Sequence, residues 1–134
     1  MIVSKKTRAY PLIRQVDNKT FSVEEPIYVS LTSFGYPFLN NVIIKTGFKT
    51  DLASIPIGFR NIVSRYGSHT TAAVVHDYLY WTGAVDRRTA DDIFDVLMEH
   101  YMVKRWKRWL MYHAVRIGGW KAYNKHRRNE DEST

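Results

Sequence analysis

His76-Asp77-Tyr78-Leu79-Tyr80 sets an imidazole, a carboxylate and a phenol within one short stretch, and Asp91 follows fifteen positions after the histidine. A histidine oriented by a carboxylate is a standard general base: the acid fixes the ring tautomer and stabilises the imidazolium formed on proton abstraction. A helix through this stretch turns by about 100° per residue. That phase puts Ala72, Val75 and Leu79 on one face with His76 in their midst, and Asp77 at the edge beside Ala73 and Tyr80. An imidazole on a core-facing side must find hydrogen-bond partners or cost stability. The following helix offers one. Ile93, Phe94, Leu97 and Tyr101 mark its apolar stripe, Asp92 and Asp95 point away, and Asp91 lies nearer the stripe on the flank of Met98. Asp91 is therefore the acid expected to meet His76 across an antiparallel hairpin.

Asp77 faces a different direction. It could hold an oxygen-preferring cation such as Ca²⁺, which polarises a carbonyl or phosphoryl oxygen. Asp51, on a loop that starts at Gly47, could add a second acidic ligand or a further hydrogen bond. A plainer reading stands beside this one. A histidine on an apolar helix face can be a satisfied core residue, and carboxylates near a helix start are favoured by its dipole.

The elements that must position these residues change character once, near Gly67. Before it, Arg8–Ile13, Thr20–Val23, Ile27–Leu31 and Asn41–Lys45 read as strands, rich in β-branched and aromatic residues. Asp17-Asn18-Lys19 supplies turn chemistry between the first two, and Pro56 and Gly58 end any regular element. After Gly67 come three helices. The first covers Thr70–Trp81, with Ser68 as N-cap and Gly83 as terminator. The second covers Ala90–Met102, with Thr89 as N-cap and Asp92 completing a capping-box-like pattern. The short Gly83-Ala84-Val85-Asp86 link makes these two a hairpin. The third runs from Lys104 to Ile117, where Gly118-Gly119 should stop or kink it. The expected fold is α+β: a small, mostly antiparallel sheet from the N-terminal half packed on a helical hairpin plus a third, basic helix. Residues 1–128 read as one domain and 129–134 as a polar, frayed tail.

Composition narrows the classes. With 134 residues, 45% of them hydrophobic, the chain has material for one core, which argues against global disorder. It has no cysteine, which excludes disulfides and thiolate zinc sites. The N-terminus shows no secretory apolar run after its basic residues, and nothing is long enough to span a bilayer. The net charge of +7 favours acidic partners. Much of that charge sits late. Between Tyr101 and Arg128 there is no acidic residue, while Lys104, Arg105, Lys107, Arg108, Arg116, Lys121, Lys125, Arg127 and Arg128 accumulate. Val103, Trp106, Leu110, Ala114 and Ile117 form an apolar stripe through this helix, with Lys104 and Arg108 on the far side. The segment suits a third core helix with a solvated basic face. It equally suits an interfacial helix on anionic lipid, with Trp109, Tyr112 and Trp120 at headgroup depth, or contacts to nucleic-acid phosphate through residues 104–128. An acidic face on another protein would serve as well.

Three ordered segments carry a resemblance: Gly47-Phe48-Lys49-Thr50-Asp51-Leu52-Ala53-Ser54-Ile55-Pro56, Ala72-Ala73-Val74-Val75-His76-Asp77-Tyr78-Leu79-Tyr80, and Arg88-Thr89-Ala90-Asp91-Asp92-Ile93-Phe94 with Met98. Together they resemble the phage-associated domain of unknown function 1353 family over about residues 8 to 120. The resemblance implies a tailed-phage or prophage origin, with other phage proteins or a host protein as partners, and a place in the host cytoplasm or the virion. It brings no established activity.

Locally, His76-Asp77-Tyr78-Leu79-Tyr80 is similar to the His-Asp-x-x-Tyr signature of phospholipase A2. That similarity implies His76 as the water-activating base, Asp77 as a Ca²⁺ ligand, and Tyr80 as the support of the acid that braces the histidine, Asp91. The glycine-rich calcium loop of that family is not matched, since Gly47-Phe48-Lys49-Thr50-Asp51 has a single glycine. His69 with His76-Asp77 is also similar to the metal pattern of HD-type phosphohydrolases, although at the head of its helix His69 is expected to be exposed. Two functions follow as expectations: a metal-assisted ester or phosphoester hydrolase using His76, Asp91 and Tyr80, or a non-catalytic phage protein in which the same cluster is structural.

Overall fold

The computed structural model describes residues 9–18, 20–52 and 66–118. Expectations that fall on Arg8, Lys19, Pro56, Gly58, Gly119, Trp120, the basic residues from Lys121 onward and the 129–134 tail lie outside the described residues.

The N-terminal half forms β1 (Ile13–Gln15), β2 (Phe21–Val23), β3 (Ile27–Val29), β4 (Val42–Ile44) and β5 (Lys49–Thr50), with a 3₁₀ turn at Thr32–Phe34 between β3 and β4. Among the described residues all pairings are antiparallel, in two small sheets of order β1-β2-β5 and β3-β4. Alternation sets the faces. In β3 Ile27 and Val29 are buried while Tyr28 between them is exposed, and Ile27 lies opposite Ile44 of β4. The first hairpin turns where expected, with the Thr20 amide donating to the Asp17 carboxylate at 2.8 Å.

Among the described residues the first strand starts later than the sequence suggests, at Ile13. The preceding backbone is used elsewhere: the Ala9 carbonyl accepts from Thr71 N–H at 3.0 Å and the Pro11 carbonyl from the Tyr66 hydroxyl at 2.7 Å. β5 joins β2 through Gly47, whose φ of 96° lets the chain turn so that its N–H reaches the Val23 carbonyl.

The C-terminal half is helical: α1 (Thr70–Thr82), α2 (Arg87–His100) and α3, described over residues 105–118. α1 is buried on nearly every side, from Thr70 through His76 and again at Leu79 and Tyr80. Such a helix sits in the middle of a fold. Here β5 touches one side and α2 lies along another. Gly83 ends α1 in the left-handed conformation, as expected, and its N–H returns to the Leu79 carbonyl.

Both expected N-caps differ from the structure. Ser68 does not cap α1: His69 holds that position, and it is buried at the helix head where exposure was expected. The Ala9 carbonyl serves the first turn instead. In α2 the cap is Asp86, whose carboxylate accepts from Thr89 N–H at 3.0 Å. Aspartate caps at least as well as threonine, so the upstream residue wins and the helix gains Arg87 and Arg88.

α3 is rotated relative to the expected stripe. Its buried residues are Met111 and Val115, with Val103 just before it, whereas Trp106, Trp109 and Ile117 are exposed. Arg108 was placed on the far side. It instead faces α2 and pairs with Asp95 and Glu99. Gly118 is still helical. Among the described residues no helix is long and apolar enough to cross a membrane.

Candidate functional site

Capping of α2 at Asp86 fixes where its first turns fall and therefore where Asp91 points. The hairpin then brings Asp91 against α1. His76 Nε2–H donates to Asp91 Oδ1 at 2.7 Å, and the Tyr80 hydroxyl donates to the same oxygen at 2.5 Å. Tyr80 lies one helical turn beyond His76, so both reach the one carboxylate. The rings of Tyr80 and Phe94 pack on the imidazole, with centroids 4.2 and 5.0 Å away.

Two arginines that sequence reasoning left out of the site complete it. Arg116 of α3 donates to Asp91 Oδ2 at 2.9 Å, and Arg87, four residues before Asp91, lies 3.9 Å from the same oxygen. Arg87 also donates to the Arg116 carbonyl at 3.3 Å, which ties the start of α2 to the end of α3. Asp91 is thus a wholly buried carboxylate (0% exposed) neutralised from two helices. A buried carboxylate without such partners would take a proton. The i, i+4 spacing of Arg87 and Asp91 was a usable signal, hidden by placing the helix start at Thr89. Arg116 carried none beyond its charge.

Asp77 goes the other way, as its helical phase requires. Its Oδ2 accepts from the Thr50 hydroxyl in a very short contact and from Asp51 N–H at 3.1 Å. The Thr50 hydroxyl also accepts from Leu52 N–H at 3.0 Å, where Leu52, fully buried, holds a φ of 57°. A non-glycine residue in that region is strained, so this corner is held by its surroundings. The Asp51 backbone reaches Asp77 through its amide, on a residue that is exposed overall.

Calcium takes six to eight oxygen ligands. At this corner a cation would have to displace the Thr50 hydroxyl and the Asp51 amide from Asp77 Oδ2, two donors already aimed at that oxygen. Among the described residues no group of three or more metal-ligating side chains converges. In the described residues Asp77 stands as a hydrogen-bonded carboxylate.

Electrostatics fixes the state of the imidazole. Burial pushes the His76 value down, but the Asp77 and Asp91 carboxylates on either side outweigh it and hold the ring above its ordinary value. Burial likewise works to raise Asp91, and His76, Tyr80 and Arg116 overcome it, so the carboxyl stays ionised below its usual range. Asp77 is also held low against burial, by His76, Asp51 and Thr50. Burial, then the neighbouring Asp91, push the Tyr80 phenol far above its usual range, so it remains a donor. An ionised Asp91 can only accept, which assigns the neutral ring its proton on Nε2. Nδ1 then carries the lone pair. It is buried without a hydrogen-bond partner among the described residues, and Asp77 Oδ1 lies 3.7 Å away, too far for a hydrogen bond.

Fold and site together define an α+β domain organised round a buried histidine–aspartate pair braced by a tyrosine and two arginines. The chain belongs to the family described as protein of unknown function (DUF1353), which it matches over residues 29–115, from β3 to the last turn of α3 before Arg116. No curated protein and no solved structure matches it.

Proposed function

We propose that the chain is a hydrolase in which His76 activates water against an ester or phosphoester. One observation carries the reading: Nε2 is locked to Asp91 while Nδ1, the basic nitrogen, has no hydrogen-bond partner among the described residues. Water reaching Nδ1 past Asp77, whose side chain is 13% exposed, would give up a proton to that nitrogen as its oxygen attacks the carbonyl carbon or phosphorus. The resulting imidazolium lies between two carboxylates, and it returns the proton to the departing alkoxide. Asp91 keeps the tautomer, Tyr80 and Arg116 keep Asp91 in place, and Asp77 offsets the charge that appears on the ring. The local similarity of His76-Asp77-Tyr78-Leu79-Tyr80 to the phospholipase A2 helix supports the same roles for His76 and Tyr80. A phage origin belongs to this reading through the family resemblance.

A second reading is favoured by the burial of the ring, which is 1% exposed. There the cluster is a structural network of a non-catalytic virion or accessory protein. Assay of p-nitrophenyl esters and phosphodiesters, and of phospholipid vesicles, with the parent chain and His76→Asn separates the two. Hydrolysis by the parent, lost in a variant that remains folded, is the expected result. No hydrolysis by the parent, with His76→Asn destabilised by about 3–5 kcal/mol as for a broken buried pair, would establish the structural reading.

A further inference from the structure

Two members of the apolar stripe expected in α3, Trp106 and Ile117, face solvent together with Trp109. Trp106 is 50% exposed, Trp109 63% and Ile117 81%, and Met102, just before the helix, is 87% exposed. Within α3, Trp106, Trp109, His113 and Ile117 fall within about a quarter-turn of one another, opposite the buried Met111 and Val115. Isolated exposed apolar residues are ordinary, but two tryptophans and an isoleucine on one helix face form a patch.

Its surroundings are basic. Lys104 and Arg105 are exposed and form no ion pair among the described residues, and the Lys107 ammonium lies 5.6 Å from the Trp106 ring. The acids of α2 that face this helix are engaged already, Asp95 and Glu99 by Arg108 and Asp92 by the Tyr112 hydroxyl. Beside the stripe, Asp95, Arg105, Arg108, Trp109, Tyr112 and His113 line an open cleft of about 290 Å³.

We infer that the outer face of α3 docks on an anionic lipid surface, with Trp106 and Trp109 at headgroup depth, Met102 and Ile117 among the acyl chains, and Lys104 and Arg105 against the phosphates. Cationic and tryptophan-rich helix faces bind bilayer interfaces in this way. Nucleic acid would use the charges and stack on the indoles, but it offers nothing to Met102 and Ile117, the two most exposed members. The inference stands apart from the hydrolase reading, because the surface does not include His76.

The test is co-sedimentation of the full chain with vesicles of phosphatidylglycerol and phosphatidylcholine, against phosphatidylcholine alone, with tryptophan emission recorded alongside. Binding only to the anionic vesicles, weakened by salt and accompanied by a blue shift, is expected. The double variant Trp106→Ser/Trp109→Ser should lose at least tenfold in partitioning. Lys104→Ser/Arg105→Ser should lose at least tenfold as well, and it leaves the apolar face intact should the first variant fold poorly. No binding to anionic vesicles at low salt, or binding that both variants retain, overturns the proposal. So does tighter binding to a single-stranded oligonucleotide with indole quenching, which would make the face a nucleic-acid surface.

Discussion

Asp91 is the residue on which the cluster depends, because its carboxylate joins α1, its own helix and α3. It accepts from His76 and Tyr80 through one oxygen and from Arg116 through the other. Helical phase was enough to select it from the neighbouring Asp92 and Asp95, and to turn Asp77 away from it, since an α-helix assigns direction from spacing alone. The arginines were not legible, because a cation's reach depends on which helix end lies opposite. Arg116→Met is expected to destabilise the fold by about 1.5–3 kcal/mol, the worth of a hydrogen bond between charged groups, with Arg87 limiting the loss. Denaturant unfolding measures it. An unchanged midpoint would mean that Arg116 does not neutralise Asp91.

Elements place these residues, and short ones decide most. β5 is only Lys49–Thr50, too short for alternation to reveal, yet it delivers the Thr50 hydroxyl and Asp51 amide to Asp77. The capping of α2 by Asp86 starts that helix early enough to carry Arg87 toward Asp91. Asp86→Ala should therefore cost about 1 kcal/mol, the usual worth of a cap. Thermal unfolding tests it, with Thr89→Ala as the comparison: if Thr89→Ala alone destabilised the protein through lost capping, the helix would begin where the sequence suggested. The phase of α3 was the element least legible. Trp106 and Ile117 outweigh Met111 and Val115 in hydrophobicity, and a helix with two apolar faces does not declare which one enters the core.

At the scale of the molecule, the two kinds of titrating group bound the stability. Folding raises His76 above its ordinary value of 6.5, so the folded chain holds that proton more tightly. The stabilisation is complete below 6.5 and disappears as pH climbs through the raised value. Folding lowers Asp77 and Asp91 beneath 3.8, so their stabilisation is complete above 3.8 and disappears as pH falls through the lowered values. Melting temperature should peak between these limits and fall on the alkaline side, a fall that His76→Asn removes. Stability rising from neutral to mildly alkaline pH would contradict the placement of the ring between two carboxylates. The strand-then-helix order and the α1–α2 hairpin were readable because composition and loop length dictate them. The division of the strands into two sheets was not, because it rests on how Gly47 returns β5 to β2.

The most direct measurement is ¹⁵N NMR of the His76 ring across pH. The neutral ring should carry its proton on Nε2, and Nδ1 should titrate reversibly with a midpoint above 6.5. A ring that never titrates while the fold persists, or one protonated on Nδ1 when neutral, would show that no water reaches a basic nitrogen there.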